Sequence, residues 1–172
     1  MKLVYTTLLF LLAGLSIHAQ ITTWNTIQKP AYSIQCPGNW SVDSSKQFGS
    51  ELFFNAPIDS IGDKFRENVS VMVQNIAGKD VSMERFVAVS ENQIRAMAPE
   101  LVILEDTTIS TAPVTYHKMH FTCKQGQFAL EIEQFYFVTA TRAYVITFTS
   151  EQKKFNQYQV TGEKILASFR LK

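Results

Sequence analysis

The histidines are the first residues whose chemistry is of interest, because imidazole serves both in metal binding and in proton transfer. Beyond residue 20 the chain has two of them, His117 and His120. They are three positions apart within a predicted strand, so their side chains point to opposite faces of a sheet and cannot bind one metal ion together. His120 and Cys123 have the same spacing, which excludes them as a base and nucleophile pair.

Two glutamates, Glu131 and Glu133, share one face of the next predicted strand. A two-residue hairpin loop at Gln125-Gly126 would place Lys118 opposite Glu133 and His120 opposite Glu131. Such pairs can act as acid and base or hold a metal ion. They also stabilise antiparallel sheets as ordinary cross-strand contacts, and we favour that interpretation. The other face of this hairpin would be apolar, with the pairs Met119–Ile132, Phe121–Leu130 and Cys123–Phe128.

Motifs of common enzyme classes do not occur in the sequence. It has no Gly-x-Ser-x-Gly nucleophile elbow and no glycine-rich loop that could hold a phosphate. We therefore predict no catalytic, cofactor-binding or metal-binding residues. A hydrolase or a metal enzyme is accordingly the least favoured function for this chain.

Residues 1–19 have the pattern of a secretory signal peptide. Lys2 precedes the apolar run Leu8–Leu15, which is too short to span a bilayer, and Ala19 suits the position before a cleavage site. We expect cleavage between Ala19 and Gln20, which leaves residues 20–172 as one exported domain, periplasmic or secreted, with no membrane span. An anchor helix that is never removed is the alternative, and the polar residues after the apolar run disfavour it.

The charges argue against a nucleic-acid partner. The chain has 16 basic and 15 acidic side chains, and loss of Lys2 would make the two numbers equal. A nucleic-acid binder needs a surplus of Lys and Arg facing the phosphates. No block of like charge indicates a membrane-binding patch either.

The two cysteines, Cys36 and Cys123, could form a disulfide in an oxidising compartment. The alternative is two buried thiols, because a chain of this length can build a sufficient core without a bridge. Asn39 and Asn68 each match the short glycosylation pattern, which arises often by chance and carries little weight.

The hydrophobic periods predict strands, a helix, more strands and a final helix. Alternation over Tyr32–Cys36 predicts a strand, and Pro37-Gly38 suits the centre of a type II turn that leads to Trp40 and a return strand. We interpret Trp40 as a core residue rather than a ligand-stacking one. Further strands are predicted over 50–55, 68–76, 101–110, 114–124, 128–139 and 142–149, with a helix capped by Ser82 and ended by Pro99 and a second helix after Ser150.

Both faces of the predicted sheet are apolar at its centre. A tight hairpin at Ala140-Thr141 would align Phe135, Phe137, Tyr144, Ile146 and Phe148 on one face, and Ile132, Tyr136, Val138 and Val145 lie on the other. An antiparallel sheet that is wet on one side lacks this pattern. The predicted fold class is therefore α+β, with an antiparallel sheet sandwiched between two amphipathic helices.

Four segments together resemble the PsbP/DcrB-like superfamily: "YSIQCPGNW" (32–40), "DKFRENVSVMV" (63–73), "AYVITFTS" (143–150) and "ILASFRL" (165–171). The resemblance covers residues 29–170 and implies an antiparallel sheet flanked by helices. Members of that superfamily include a photosystem II extrinsic subunit, an envelope protein linked to phage entry and a Ran-binding import factor. They share no catalytic centre that could be transferred to this sequence.

These expectations lead to a non-enzymatic exported domain that binds an unidentified envelope or secreted partner and needs no cofactor. The alternative is a carrier of a small apolar ligand, held between sheet and helix among Phe135, Phe137, Tyr144 and Phe148. We expect the partner at residues 56–67, the longest stretch before the first helix that lacks a strand or helix period. The candidate contact residues in it are Ile58, Ile61, Asp63, Phe65 and Arg66. A connector whose Phe65 packs back on the sheet is the alternative.

Overall fold

The structure, a computed structural model, describes residues 23–172, so the predicted signal peptide (1–19) and its cleavage site lie outside the described residues. The described chain forms the helices α1 (Met83–Met97) and α2 (Phe155–Ala167). Its strands are β1 (Trp24–Gln28), β2 (Tyr32–Pro37), β3 (Ser41–Asp43), β4 (Ser50–Asn55), β5 (Asn68–Asn75), β6 (Val102–Thr111), β7 (Val114–Gln125), β8 (Phe128–Val138), β9 (Arg142–Glu151) and β10 (Arg170–Leu171). Over this range no helix has the length and apolar character needed to cross a membrane.

The strands form two antiparallel sheets. The larger has seven strands in the order β3-β4-β5-β9-β8-β7-β6, and the smaller has the order β1-β2-β10. The predicted strands over 50–55 and 68–76, and the four between the helices, are confirmed within a few residues at their ends. The Ala140-Thr141 hairpin is also confirmed, because Thr139 and Arg142 pair across it.

Helix α2 and the small sheet cover one face of the large sheet. Phe135 pairs with Ile146 and Phe137 with Tyr144, as predicted, and all four lie in the buried cluster beneath α2. The helix contributes Phe155, Ile165 and Leu166 to this cluster, and Gly162 is also buried. The cluster also holds Tyr32 and Ile34 of the small sheet, which joins the two sheets into one core.

Helix α1 covers only part of the opposite face. Ser82 caps it as predicted, since the Ser82 side chain accepts a hydrogen bond from the backbone N–H of Arg85 at 3.2 Å. Phe86 and Val87 in the first half of the helix are buried, whereas Met97 at its end is 81% exposed. The expected sandwich is therefore confirmed in part: two helices flank a mainly antiparallel sheet, but α1 leaves part of its face uncovered.

The predicted register of the β7–β8 hairpin is wrong by two residues. Gln125 pairs with Phe128, so the loop is Gly126-Gln127, and His120 rather than Lys118 lies opposite Glu133. Gly126 has φ 59°, and a hairpin loop of this length accepts glycine with positive φ at its first central position. A shift of two keeps every side chain on its predicted face, because strands have a period of two.

The corner at Pro37 also differs from the prediction. The Trp40 backbone N–H donates to the Pro37 carbonyl at 3.0 Å, which centres the turn on Gly38-Asn39. Gly38 has no positive φ; glycine is needed because a Cβ there would lie 2.7 Å from Thr23 Oγ1. The strand after the corner pairs with β4 instead of returning along β2. Trp40 is buried against Tyr158, in keeping with the core interpretation.

The structure does not contain the disulfide that Cys36 and Cys123 could form. Cys36 and Cys123 are both free and buried. Cys36 belongs to the cluster beneath α2, and Cys123 to the cluster beneath α1 on the other face of the large sheet. The alternative of two buried thiols holds, and burial raises the pKa of both: that of Cys36 to about 11.

Candidate functional site

A groove lies between the second half of α1 and the large sheet. Its volume is about 370 Å³, within the range of small-molecule sites. The helix lines one side and four neighbouring strands form the floor. The lining residues are Ser70, Met72, Gln74, Ser90, Gln93, Ile94, Met97, Ala98, Phe121, Cys123, Lys124, Gln125, Ile132, Gln134, Tyr136, Val145 and Thr147.

The floor consists of cross-strand rows of side chains. Met72, Val145 and Tyr136 are register partners across β5, β9 and β8, and they form an apolar row. The next row, two residues along each strand, is polar and consists of Ser70, Thr147 and Gln134. Ile132 and Phe121 then pair across β8 and β7. A ligand in the groove would therefore meet apolar surface with one polar row across it.

The groove exists because the sheet-facing stripe of α1 changes character along the helix. Phe86 and Val87 fill the space above the sheet, but Ser90 follows on the same stripe and is small. The Ser90 hydroxyl donates to the Phe86 carbonyl at 2.9 Å, so it does not reach the strands. Ile94 is half-buried and Met97 is exposed at the open end. By helical spacing Met83, Val87, Ser90, Ile94 and Met97 form one stripe, which predicts a core-facing surface along the whole helix; the structure does not confirm this for the second half.

Two members of the polar row, Gln134 and Thr147, are hydrogen-bonded within the protein. The Gln134 amide donates to Thr147 Oγ1 at 3.1 Å, and the Tyr136 hydroxyl donates to Gln134 Oε1. Burial raises the pKa of Tyr136, and the Asp106 and Glu91 carboxylates raise it further, so the phenol stays neutral. Gln134 and Tyr136 therefore present uncharged polar groups to the groove.

The four aromatic residues predicted to hold an apolar ligand lie on the opposite face from this groove. Tyr144 and Phe148 are sealed in the core beneath α2. Phe135 and Phe137 reach a smaller cavity of about 290 Å³ at the sheet edge near Pro113. The predicted ligand site is therefore wrong for Tyr144 and Phe148, which lie in filled core, and the cavity that Phe135 and Phe137 reach is at the C-terminal end of α2.

The five predicted contact residues divide into two groups. Ile58 is 60% exposed and Ile61 is fully exposed, so both present apolar surface to solvent. Phe65 packs against Phe128 with 5.2 Å between ring centroids, as the alternative interpretation expected. The Arg66 guanidinium donates twice to the Ala56 carbonyl, at 2.9 and 2.7 Å, and closes the base of the loop.

Asp63, the fifth predicted contact residue, belongs to a carboxylate cluster with Asp59 and Glu67. Each of the three offers an oxygen within 4.8 Å of the others, a spacing that a metal ion could use. The Lys154 ammonium already lies among them, 3.0 Å from Asp59, 2.8 Å from Asp63 and 3.9 Å from Glu67. The cluster thus contains its own cation, which ties the loop to the start of α2.

The pKa values in this cluster shift in different directions. The Tyr158 hydroxyl and then the Lys154 ammonium lower the pKa of Asp59, and hydrogen bonding to Lys154 lowers that of Asp63. Glu67 is fully buried, and burial raises its pKa against the opposing effects of Lys154 and the backbone N–H of Glu151. One oxygen of Glu67 has no hydrogen-bond partner. The Glu67 carboxylate is therefore the member most dependent on the nearby ammonium.

The histidines and the glutamate pair make contacts with side chains of neighbouring strands and of α2. His117 lies on the α1 face with Nδ1 3.0 Å from Thr108 Oγ1, and His120 stacks on Phe155 beneath α2, so the predicted opposite facing is confirmed. His120 Nε2 contacts Glu131 at 3.0 Å, and Lys118 Nζ lies 3.3 Å from Glu133. Both pairs meet diagonally across the strands because of the shifted register.

Comparison with solved structures identifies the fold. The cyanobacterial PsbP protein CyanoP from Synechocystis sp. PCC 6803 aligns over 93% of this chain and 99% of its own, with a TM-score of 0.67 at 12% identity. LpqN of Mycobacterium tuberculosis, described as involved in cell envelope biogenesis, aligns over 88% and 91%, with a TM-score of 0.66 at 8% identity. PA94 of Pseudomonas aeruginosa, described as a putative regulator of unknown function, aligns over 83% and 93%, with a TM-score of 0.55 at 11% identity.

These similarities are similarities of fold. No protein-family model matches the sequence, and no curated protein matches it. The chain has the PsbP-like fold, which confirms the fold that the sequence resemblance implied. Shared fold does not establish a shared function, so the function of this chain must be inferred from its own groove and loop.

Proposed function

We propose that this protein is a non-catalytic binding domain that holds a small, mainly apolar ligand in the groove beneath α1. The observation that carries the proposal is the groove itself, with about 370 Å³ of space, an apolar floor and one polar row. Ligand sites typically combine mostly apolar walls with a few fixed polar groups. The exposed Met97 at the open end suits adaptable contact, because methionine side chains are flexible and polarizable.

We also propose that the protein acts outside the cytoplasm as an accessory component of the envelope or as a secreted protein. The apolar run at residues 8–15 supports this proposal. LpqN, which has the same fold, is described as involved in cell envelope biogenesis. The contacts of the histidines and glutamates with neighbouring side chains are in keeping with binding without catalysis.

Filling the groove is expected to abolish binding of an apolar probe. The neutral fluorescent dye N-phenyl-1-naphthylamine should bind saturably to the parent protein. Ser90→Phe places a large ring in the groove and should weaken binding about ten-fold or more, which corresponds to about 1.4 kcal/mol or more. The matched control is Asn92→Phe, two residues along the same helix at an exposed position, which should bind the dye as the parent does.

Fluorescence titration measures the dye affinity of the parent and the two variants, and circular dichroism verifies that each protein is folded. Absence of saturable binding to the parent would exclude the groove as a site for apolar ligands. Equal binding by the parent and Ser90→Phe would place the dye elsewhere on the protein and equally exclude the groove.

A second candidate function is contact with a protein partner through residues 57–61. Ile58 and Ile61 are exposed on a loop that Lys154 and Arg66 fix to the body of the protein. A fixed loop loses less conformational entropy on binding than a mobile one. Two apolar side chains with a polar surround also fit the pattern of a small buried interface centre with a polar rim.

Replacing both isoleucines with serine is expected to leave stability unchanged and to remove partner contact. Neither side chain is buried, so the free energy of unfolding measured by urea titration should change by less than about 0.5 kcal/mol. Chemical crosslinking in the producing cells, followed by mass spectrometry, measures the contact. Val89→Ser, at an exposed apolar site on α1, is the control. Unchanged crosslinks in the Ile58/Ile61 variant would remove the loop from consideration.

A further inference from the structure

We infer that the ligand of the groove is an apolar molecule that carries a carbonyl oxygen within its apolar body. This inference rests on the proposed function, because it adds the polar group of the ligand to the same site. Its basis is the polar row of the floor, Ser70, Thr147 and Gln134, which crosses the groove between apolar side chains.

The side chains of the polar row face α1 and the groove. The strand neighbours of Ser70 and Thr147 are fully buried in the cluster beneath α2: Val69, Val71, Ile146 and Phe148. Successive side chains of a strand point to opposite faces, so Ser70 and Thr147 lie on the α1 face. Gln134 lies on the same face, because it is the register partner of Thr147.

The hydrogen bonds within the row leave donors over. Gln134 uses one amide N–H toward Thr147 Oγ1, so its second N–H and the O–H of Thr147 remain. Among the described residues the Ser70 hydroxyl has no hydrogen-bond partner, and all three side chains are half-exposed. Water can satisfy these groups while the groove is open, and the Ser70 hydroxyl is the donor most available to a ligand.

A ligand that fills the groove displaces water from this row. A pure hydrocarbon would leave the Ser70 hydroxyl without a partner, and a polar group covered in this way costs binding free energy. A site with such a group discriminates against a ligand that lacks the matching one. A carbonyl oxygen at the level of the row accepts the Ser70 hydrogen bond and removes this cost.

The carbonyl must lie within the apolar body of the ligand, because apolar side chains flank the row on both sides. Met72 and Val145 lie two residues from the row in one direction along the strands, and Ile132 lies two residues from it in the other. Two residues of a strand span about 6.6 Å. A molecule that covers the row therefore also covers apolar surface on each side of its carbonyl.

Benzophenone and 1,1-diphenylethylene test the inference, because they differ only in the exchange of C=O for C=CH2 between two phenyl rings. Affinity is measured by displacement of N-phenyl-1-naphthylamine. The ketone also gives up hydrogen bonds to water on binding, so the decisive quantity is the ratio of the two affinities in each protein. Ser70→Ala removes the donor and should weaken benzophenone relative to 1,1-diphenylethylene about three- to ten-fold. Ser44→Ala, at an exposed serine outside the groove lining, is the matched control and should keep the parent ratio.

Benzophenone also reports where its carbonyl lies. In near-ultraviolet light the excited carbonyl oxygen takes a hydrogen atom from a neighbouring C–H bond, and the two carbon radicals then join in a C–C bond. Mass spectrometry of peptides from the irradiated parent should locate this attachment next to the polar row, at Met72 or Val145. Attachment only at residues outside the groove lining would overturn the inference together with the proposed site.

The affinity measurements separate this inference from the function on which it rests. An affinity ratio that Ser70→Ala leaves unchanged overturns the inference and leaves the apolar groove in place. Failure of both compounds to displace the bound dye overturns the proposed function as well.

Discussion

The Gly162→Ala variant is expected to unfold at a clearly lower urea concentration than the parent. A Cβ atom at position 162 would lie 2.5 to 2.7 Å from three atoms of the Phe148 ring, closer than carbon atoms approach in proteins. Phe148 is fully buried between α2 and the neighbouring strands and has no free space to enter. Either α2 must move away from the sheet or the ring must leave its preferred rotamer.

Two opposing effects set the size of this change. Alanine favours the helical backbone over glycine by about 1 kcal/mol. Inserting a methyl group into a close-packed core costs about 1–3 kcal/mol, and the overlap with a rigid ring at position 162 places the cost toward the upper part of that range. The expected net loss of unfolding free energy is about 1–2 kcal/mol. Urea titration followed by circular dichroism measures it.

Gly62→Ala is the matched control. Gly62 is exposed, has no positive φ, and a Cβ there would meet no atom within 4 Å. Its unfolding free energy should stay within about 0.5 kcal/mol of the parent. A gain of stability in Gly162→Ala would contradict the close approach of α2 to the sheet.

A double-mutant cycle with Phe148→Leu assigns the effect to the ring. The smaller side chain relieves the overlap, so Gly162→Ala should cost less in the Phe148→Leu background than in the parent. Coupling between contacting residues of this kind is commonly about 0.5–3 kcal/mol. Additive costs would show that the alanine acts through some contact other than the Phe148 ring.

This contact illustrates what the sequence pattern could and could not predict. The 3.6-residue period identified Gly162 as part of the core-facing stripe of α2, together with Ile165 and Leu166, and the structure buries all three. The period does not specify which strand residue meets the stripe, because that depends on the angle and height of the helix. Gly162 and Phe148 therefore appeared as two separate core residues.

The hairpin of β7 and β8 shows the same limit in a sheet. The alternation of polar and apolar residues predicted which side chains share a face, and those assignments hold. It could not distinguish registers that differ by two residues, because both keep the same faces. The glycine in the loop decided the register, since Gly126 takes the first central position with φ 59°.

The groove was not predictable from the period of α1 alone. Ile94 and Met97 continue the stripe of Phe86 and Val87, so the sequence indicated a uniformly packed helix. Ser90 was the available signal, because a small polar residue in the middle of an apolar stripe leaves space above the sheet. The facing polar row on three different strands became visible only when the strand order was known.

The loop at residues 56–67 shows a limit of another kind. Asp63, one of the predicted contact residues, and Asp59 pair with Lys154, which lies far away in the sequence. Long-range ion pairs leave no local period, so the pattern could not reveal them. The exposure of Ile58 and Ile61 agrees with the prediction that the segment presents apolar side chains.

Lys154→Met is expected to destabilise the protein at neutral pH by removing the cation from this cluster. Methionine keeps most of the apolar stem of lysine and removes the charge. The buried Glu67 carboxylate loses the ammonium 3.9 Å away that offsets its charge, and Asp63, whose side chain is 4% exposed, loses its hydrogen bond to Lys154. Loss of a hydrogen bond to a charged group costs about 1.5–3 kcal/mol. Asp59 and Asp63 lose their shared partner as well, so the backbone amides of the loop should also become less protected against hydrogen exchange.

The dependence on pH distinguishes charge from packing. The pKa values of Asp59 and Asp63 are lowered in the folded protein, so their contribution is present above the unfolded pKa and is lost as the pH falls. The pKa of Glu67 is raised, so its ionisation costs stability as the pH rises. Without Lys154 the stabilisation by the ionised Asp59 and Asp63 weakens, and the cost of ionising Glu67 grows. The deficit of the variant should therefore be largest near pH 7 and shrink as the pH falls through the raised pKa of Glu67. The part that comes from Asp59 and Asp63 should disappear only below about pH 4, as the pH falls through their lowered pKa values.

Urea titrations of the parent and the variant between about pH 3 and pH 7 measure this deficit. Lys153→Met is the matched control, because Lys153 is the preceding residue, is 71% exposed and pairs only with Glu151 in the described chain. It should cost less than about 1 kcal/mol at every pH. A Lys154→Met deficit that stays constant with pH would assign the loss to packing of the lysine stem.

Hydrogen exchange of the backbone amides supplies the second measurement. Loss of the Lys154 ammonium removes the contacts that hold Asp59 and Asp63, while the Arg66 bonds to Ala56 at the base of the loop remain. Exchange should therefore accelerate at residues 59–65 in Lys154→Met and stay at the parent rate in Lys153→Met. If residues 57–61 bind a partner as a preformed surface, Lys154→Met should also weaken that contact although neither isoleucine has changed. Unchanged exchange in the loop would show that its conformation does not depend on Lys154.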